Sequence, residues 1–185
     1  DQDCDGGDLC YIDADGDVDL LLASDFELSQ VLENEVGGDL FVDQTMDVIS
    51  DENGMGGAVA DYDRDGDMEW FVTSIWDPET ANNGSGNRLY RNDGRGNFED
   101  VTDEAGVREG DWGWGTCFAD FDNDGHADIF HTNGHQSRAK FEDDPSRLFM
   151  SNGDGTFTER ASQMGITHTD QGRGVVCADY DRDGK

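Results

Sequence analysis

One period governs this chain. Asp61, Asp120 and Asp179 stand 59 residues apart, as do Gly54, Gly113 and Gly172, and also Gly56, Gly115 and Gly174. Leu89 and Leu148, Gly94 and Gly153, Gly96 and Gly155, and Phe98 and Phe157 keep the same offset. Agreement at one spacing over so many positions means that one supersecondary unit is repeated in tandem, each copy burying its apolar faces against its neighbours. Each unit reads as four short strands. The first is Gly115–Ala119, the second Ile129–Thr132 or Trp70–Thr73, the third Arg88–Arg91 or Arg147–Met150, and the fourth Phe98–Val101 or Phe157–Arg160. The turns Asn92-Asp93-Gly94-Arg95-Gly96 and Asn152-Gly153-Asp154-Gly155 between third and fourth strands are rich in residues that tolerate positive φ, as hairpins require.

The expected fold is therefore all-β: tandem four-stranded blades of a β-propeller, built by radial repetition. About three blades are present, fewer than the roughly 4–8 that close a ring. The expectation is a piece of a larger ring, or an assembly in which other chains supply the missing neighbours. The units divide as an acidic, cysteine-containing lead-in at 1–10, a looser blade at 11–53, full repeats at 54–112 and 113–171, and the start of a further repeat at 172–185. In the looser unit Asp19–Ala23, Val31–Glu35 and Leu40–Thr45 match the second, third and fourth strands.

Between first and second strands each unit carries an acidic loop. Asp120-Phe121-Asp122-Asn123-Asp124-Gly125-His126-Ala127-Asp128 places carboxylates at positions 1, 3, 5 and 9 and glycine at 6. Alternating carboxylates put their oxygens on the concave side of a tight turn, where a cation of Ca²⁺ size collects them; position 7 usually adds a backbone carbonyl. The pattern recurs from Asp61 to Glu69, begins again at Asp179-Tyr180-Asp181-Arg182-Asp183-Gly184, and runs in weaker form from Tyr11 to Asp19. An EF-hand opens with the same spacing but needs a bidentate glutamate at position 12 and flanking helices. Position 12 here is Val72 or His131, and the flanks are β-branched and aromatic. Mg²⁺ keeps more of its water and seldom takes an all-protein cage, so Ca²⁺ is the cofactor expected.

Charge supports this. The 185 residues hold 44 acidic against 12 basic side chains, a formal net charge of −32. The four loops account for 16 of the 44, so bound divalent cations would relieve much of the self-repulsion. Such a balance argues against nucleic acid and anionic lipid as partners. No apolar run approaches the roughly 20 residues of a membrane span.

The tandem pattern Gly-x-Gly-x-x-x-Ala-Asp-[Tyr/Phe]-Asp-x-Asp-Gly, at Gly54–Val72, Gly113–His131 and Gly172–Gly184, resembles the FG-GAP/VCBS repeat family. Asn87-Arg88-Leu89-Tyr90-Arg91-Asn92-Asp93-Gly94, with the Gly96-Asn97-Phe98 that follows, adds to the resemblance. That family includes the integrin α-subunit propeller and cartilage acidic protein-type repeats. The resemblance implies a seven-bladed propeller with Ca²⁺ between the first two strands of a blade and ligand binding on the opposite face. Carried over residue by residue, it implies Asp61, Asp63, Asp65 and Glu69 with the carbonyl of Asp67 as one ligand set. Asp120, Asp122, Asp124 and Asp128 with the carbonyl of His126 would form the next, and Asp179, Asp181 and Asp183 begin another. In the first loop Tyr11 replaces the leading aspartate, leaving Asp13, Asp15 and Asp19 with the carbonyl of Asp17, a weaker site.

Catalytic signatures are scarce: there is no G-x-S-x-G, H-E-x-x-H or phosphate-binding glycine loop, and a non-enzyme is expected. His131 and His135 are four apart, but one ends a strand and the other lies in a loop, which favours structural or exposed roles over a metal pair. Trp76, Trp112, His135 and Arg138 could meet a protein or glycan on one face; packing between blades is the alternative for the tryptophans and solvent for the others. Asn83-Gly84-Ser85 is an N-glycosylation acceptor in a secretory setting. Cys4 and Cys10 could form a disulfide, and their segment resembles a thrombospondin type-3 calcium stretch, with a plain acidic turn as the alternative. Cys117 and Cys177 lie in apolar strand-like segments and read as buried free thiols; because they occupy non-equivalent positions of the repeat, they could pair only if neighbouring strands brought them together. The function expected is an extracellular or cell-surface calcium-binding propeller segment for adhesion, recognition or scaffolding. A structural protomer of an extracellular assembly or filament and the non-catalytic part of a propeller enzyme are the alternatives, and a homo-oligomer is among the partners expected.

Overall fold

A computed structural model describes residues 12–13, 15–26, 28–34, 40–79 and 84–181. The Cys4–Cys10 pair, the thrombospondin-like stretch, Tyr11, Asn83 and Asp183 lie outside them. Among the described residues eleven strands form three antiparallel sheets in chain order. The first holds β1 (Leu20–Leu22), β2 (Gln30–Asn34) and β3 (Phe41–Asp43). The second holds β4 (Gly56–Ala60), β5 (Glu69–Thr73), β6 (Arg88–Asn92) and β7 (Phe98–Asp100). The third holds β8 (Gly113–Ala119), β9 (Asp128–Asn133), β10 (Arg147–Ser151) and β11 (Phe157–Glu159). Each sheet is an up-and-down meander, the form of a propeller blade.

The period fixes register as well as topology. Trp70 faces Tyr90 and Phe71 faces Leu89 in the second sheet; one period on, Ile129 faces Phe149 and Phe130 faces Leu148. Between β7 and β8 a single helical turn, α1 (Thr102–Ala105), ends at Gly106 in the left-handed conformation, an element the strand pattern did not announce.

Strand alternation distributes side chains to two interfaces. From β5, Trp70 and Val72 join Ile12, Val31 and Ile49 between the first and second blades. Phe71, one residue over, joins Leu89, Val107, Ile129, Phe149 and Phe157 between the second and third. All five residues of β5 are buried because this blade is covered on both faces. The outer face of the first blade is not: Leu20, Leu22 and Phe41 are 41%, 41% and 47% exposed.

The blades converge along their first strands, which explains two of the periodic glycines. A Cβ on Gly56 would collide with the Trp114 carbonyl oxygen, and one on Gly115 would lie 2.6 Å from the Arg173 carbonyl oxygen. Residues 171–179 form no strand but dock along β8: Gly115 N–H donates to Arg173 O at 2.8 Å, and Gly172 N–H to Asn133 O at 3.1 Å. That docking corrects the free-thiol expectation. Cys117 and Cys177 are joined in a disulfide with Cα atoms 6.2 Å apart, because the segment docked along β8 brings together positions that the repeat alone does not equate.

Candidate metal centre

The acidic loops sit in the β4–β5 and β8–β9 hairpins, closed by the pairs Ala60–Glu69 and Ala119–Asp128. Both use the same backbone. Gly66 and Gly125 at position 6 have φ of 100° and 87°, and the non-glycines Arg64 and Asn123 at position 4 have φ of 65° and 60°. The aspartates also cap their own loop: Gly66 N–H donates to Asp61 Oδ2 at 3.2 Å and Asp67 N–H to Asp65 Oδ1 at 3.0 Å. In the later loop Gly125 N–H donates to Asp120 Oδ2 at 2.7 Å and His126 N–H to Asp124 Oδ1 at 2.8 Å.

These turns gather carboxylates. Asp61, Asp63, Asp65 and Glu69 each offer an oxygen within 4.8 Å of all the others, and Asp120, Asp122 and Asp124 do the same. Glu69 is fully buried; its Oε2 accepts from Tyr62 N–H at 3.2 Å, while Oε1 has no hydrogen-bond partner among the described residues. Asp61 Oδ1 is likewise buried without a partner. Burial first, then the charges of Asp63 and Asp65, push the Glu69 carboxyl up to about 9. Two orphaned acceptors among four carboxylates form a site short of positive charge, and an all-oxygen donor set suits hard divalent cations.

Position 9 differs in the other loops. Asp128 Oδ2 accepts from Phe121 N–H at 2.9 Å and Oδ1 from Ser151 N–H at 2.8 Å, and Asp128 lies outside its tight group of three. Asp19 is tied the same way, to Ile12 N–H at 3.2 Å and Asn34 N–H at 2.8 Å. These shorter carboxylates brace the loop against the third strand, whereas the longer arm of Glu69 leaves one oxygen unpaired. Among the described residues Asp13, Asp15, Asp17 and Asp19 form no comparably tight group. Glu33 on β2 lines a cavity with Asp13 and Asp19, a neighbour that loop spacing does not reveal. Asp179 and Asp181 are exposed and belong to no tight group of three or more acids among the described residues. The side chains at position 7, Asp67 and His126, pack against Gly94 and Gly153 of the turns between third and fourth strands.

At the opposite end of the blades the structure unites three of the four residues expected on one face. The Trp112 and His135 rings lie 4.2 Å apart, and the Arg138 guanidinium is 5.7 Å from the Trp112 centroid. Trp76 lines a different cavity, with Arg108 and Arg147. His131 is fully buried between Phe71 and Phe149, 6.3 and 5.8 Å away, whereas His135 packs against Trp112.

With this geometry in view, comparison with known proteins is informative. A model of the FG-GAP-like repeat matches residues 80–131 and 139–185. Human cartilage acidic protein 1 is 38% identical over 89 residues, which is 48% of this chain and 12% of that protein. The Xenopus tropicalis and mouse proteins of the same name are each 37% identical over 89 residues. The chain thus matches only about 12% of the length of these relatives. No helix among the described residues is long and apolar enough to cross a membrane.

Proposed function

The chain belongs to the FG-GAP-like repeat family, and from that premise we propose that it is an extracellular propeller segment whose blades are stabilised by calcium and whose opposite face recognises a partner. Asp61, Asp63, Asp65 and Glu69, with the carbonyl of Asp67, hold one ion. Asp120, Asp122, Asp124 and Asp128, with the carbonyl of His126, hold another. Asp13, Asp15 and Asp19, with the carbonyl of Asp17, form a weaker site, and Asp179, Asp181 and Asp183 begin a further one. The observation that carries the reading is the pair of buried, unpartnered oxygens Asp61 Oδ1 and Glu69 Oε1. Calcium supplies the positive charge that lets such carboxylates crowd together, so its binding energy becomes folding energy. The role is structural rather than catalytic.

Free Ca²⁺ at about 100 times its Kd stabilises a protein by about 2.7 kcal/mol per site, or about 5–10 °C in Tm for a chain of this size. Thermal melts in EDTA and in Ca²⁺ should differ by at least that, and Glu69→Gln should lower the calorimetric stoichiometry by one. Identical melts after thorough chelation would refute the proposal. A second reading, a structural protomer in an assembly, draws on the exposed apolar face of the first blade at Leu20, Leu22 and Phe41. A monomeric mass by light scattering at high concentration argues against it.

A further inference from the structure

At the end of the blades remote from the acidic loops lies a cavity of about 450 Å³, lined by segments flanking the strands of all three blades. Its lining combines an aromatic group, Phe26, Trp112, Trp114 and Phe141, with Arg138 and Asp25. Four features set it apart from an ordinary surface hollow. Phe26 is 83% exposed, and its φ of 75° is costly for a bulky side chain. The chain holds an apolar ring in water at a strained position beside the cavity. Trp112 also lines it, and its buried indole Nε1 has no acceptor among the described residues. Arg138 makes no ion pair or side-chain hydrogen bond among the described residues, in a protein where acids outnumber bases 44 to 12. Finally, Asp77 on the same lining is already paired to Lys140 at 2.7 Å.

An exposed guanidinium with no acidic partner among the described residues, beside exposed aromatic surface, calls for an anionic acceptor joined to an apolar body. We propose that this cavity binds a segment of a partner polypeptide that presents a carboxylate beside an apolar side chain, the carboxylate meeting Arg138 and the apolar group meeting Phe26 and its aromatic neighbours. This deepens the recognition role proposed above and rests on it. The acidity of the chain does not forbid an acidic ligand here. A five-residue strand such as β5 separates the two ends by about 17 Å, roughly two Debye lengths at about 8 Å each. A long polyanion, a sulfated glycan or nucleic acid, would still run into the acidic rim; a single carboxylate would not.

The test uses the calcium-loaded, ¹⁵N-labelled chain titrated with the blocked dipeptide acetyl-glutamyl-phenylalanine amide, its glutaminyl and lysyl counterparts, and glucuronic acid. The glutamyl peptide should shift the Trp112 indole resonance saturably, and the glutaminyl peptide should bind at least about tenfold more weakly. Arg138→Gln should cost the glutamyl peptide a similar factor, whereas Asp25→Asn should leave its binding equal or tighter. Phe26→Gly, which relieves the positive φ, should raise Tm while weakening the peptide. Preferential binding of the lysyl peptide, lost in Asp25→Asn, would make this a cation site and overturn the proposal. Binding of glucuronic acid as tight as that of the peptide, or no saturation by the glutamyl peptide at millimolar concentration, would overturn it too. A natural partner that binds Arg138→Gln as well as wild type would leave the recognition role standing and remove this cavity from it.

Discussion

His131 stands where the preceding repeat has Val72, and the exchange makes stability depend on pH. Its ring is fully buried at the interface of the second and third blades, with Nε2 3.3 Å from Asn87 Nδ2 and Nδ1 without a partner among the described residues. Burial lowers its pKa from 6.5 to about 4, only partly offset by the nearby acceptor oxygens of the Asn133 side chain and the Thr132 backbone. A histidine with a depressed folded pKa contributes stability above its unfolded pKa and loses it as pH falls, because the unfolded chain takes up the proton first. Between pH 8 and pH 4.5 the loss comes to about 2.5 kcal/mol, or about 5–10 °C in Tm for this length. His131→Val, restoring the residue of the neighbouring repeat, removes that dependence but leaves a smaller side chain between Phe71 and Phe149. The variant should be less stable than wild type at pH 8, and the gap should close as pH drops through 6.5 towards 4.5. Urea titrations at matched, saturating Ca²⁺ give the difference directly, since carboxylates titrating in both proteins cancel. Parallel pH profiles for the two proteins would refute the argument.

Other consequences follow from the interfaces. Leu89 is fully buried between the second and third blades. Leu89→Ala should cost about 2–5 kcal/mol in urea unfolding, and a loss below about 1 kcal/mol would mean that this interface does not hold. In Gly115→Ala the new Cβ would press on backbone at Arg173 O and Val175 N, 2.6 and 2.8 Å away. Residues 172–176 should lift, so that trypsin cuts after Arg173 faster than in wild type; an unchanged rate counts against the docking. The Cys117–Cys177 disulfide closes a separation of 60 residues, worth up to about 4 kcal/mol by loop-closure entropy. The double serine variant should melt lower than oxidised wild type and lose the part of the dithiothreitol response that this bond supplies.

What was legible in the sequence, and what was not, divides along a physical line. Within a blade, side-chain alternation, turn chemistry and loop spacing act over a few residues, and each left a readable mark. The strands β5, β6, β9 and β10 fall where the pattern of Trp70–Thr73, Arg88–Arg91 and their counterparts places them. The four carboxylates of the 61–69 loop converge as their spacing demands. Between blades nothing local announces a contact. Cys177 is one position out of phase with Cys117 in the repeat, yet the two bond because the start of the next unit lies along the first strand of the third blade. Glu33 reaches the neighbourhood of Asp13 and Asp19 from another strand, and Phe26 shares a cavity with Trp114 across three blades. Departures from the repeat are where such contacts should be sought. A position that keeps the period serves the blade common to every unit, and Gly56 and Gly115 are of this kind, each admitting the backbone of the next unit. A position that breaks the period, as His131 breaks with Val72, Cys177 with Phe118 and Glu69 with Asp128, serves something that one blade does and its neighbours do not. Each of these three has a distinct physical consequence: a buried titratable ring, a covalent tie between adjacent units, and an unpaired carboxylate oxygen in the tightest acidic cluster.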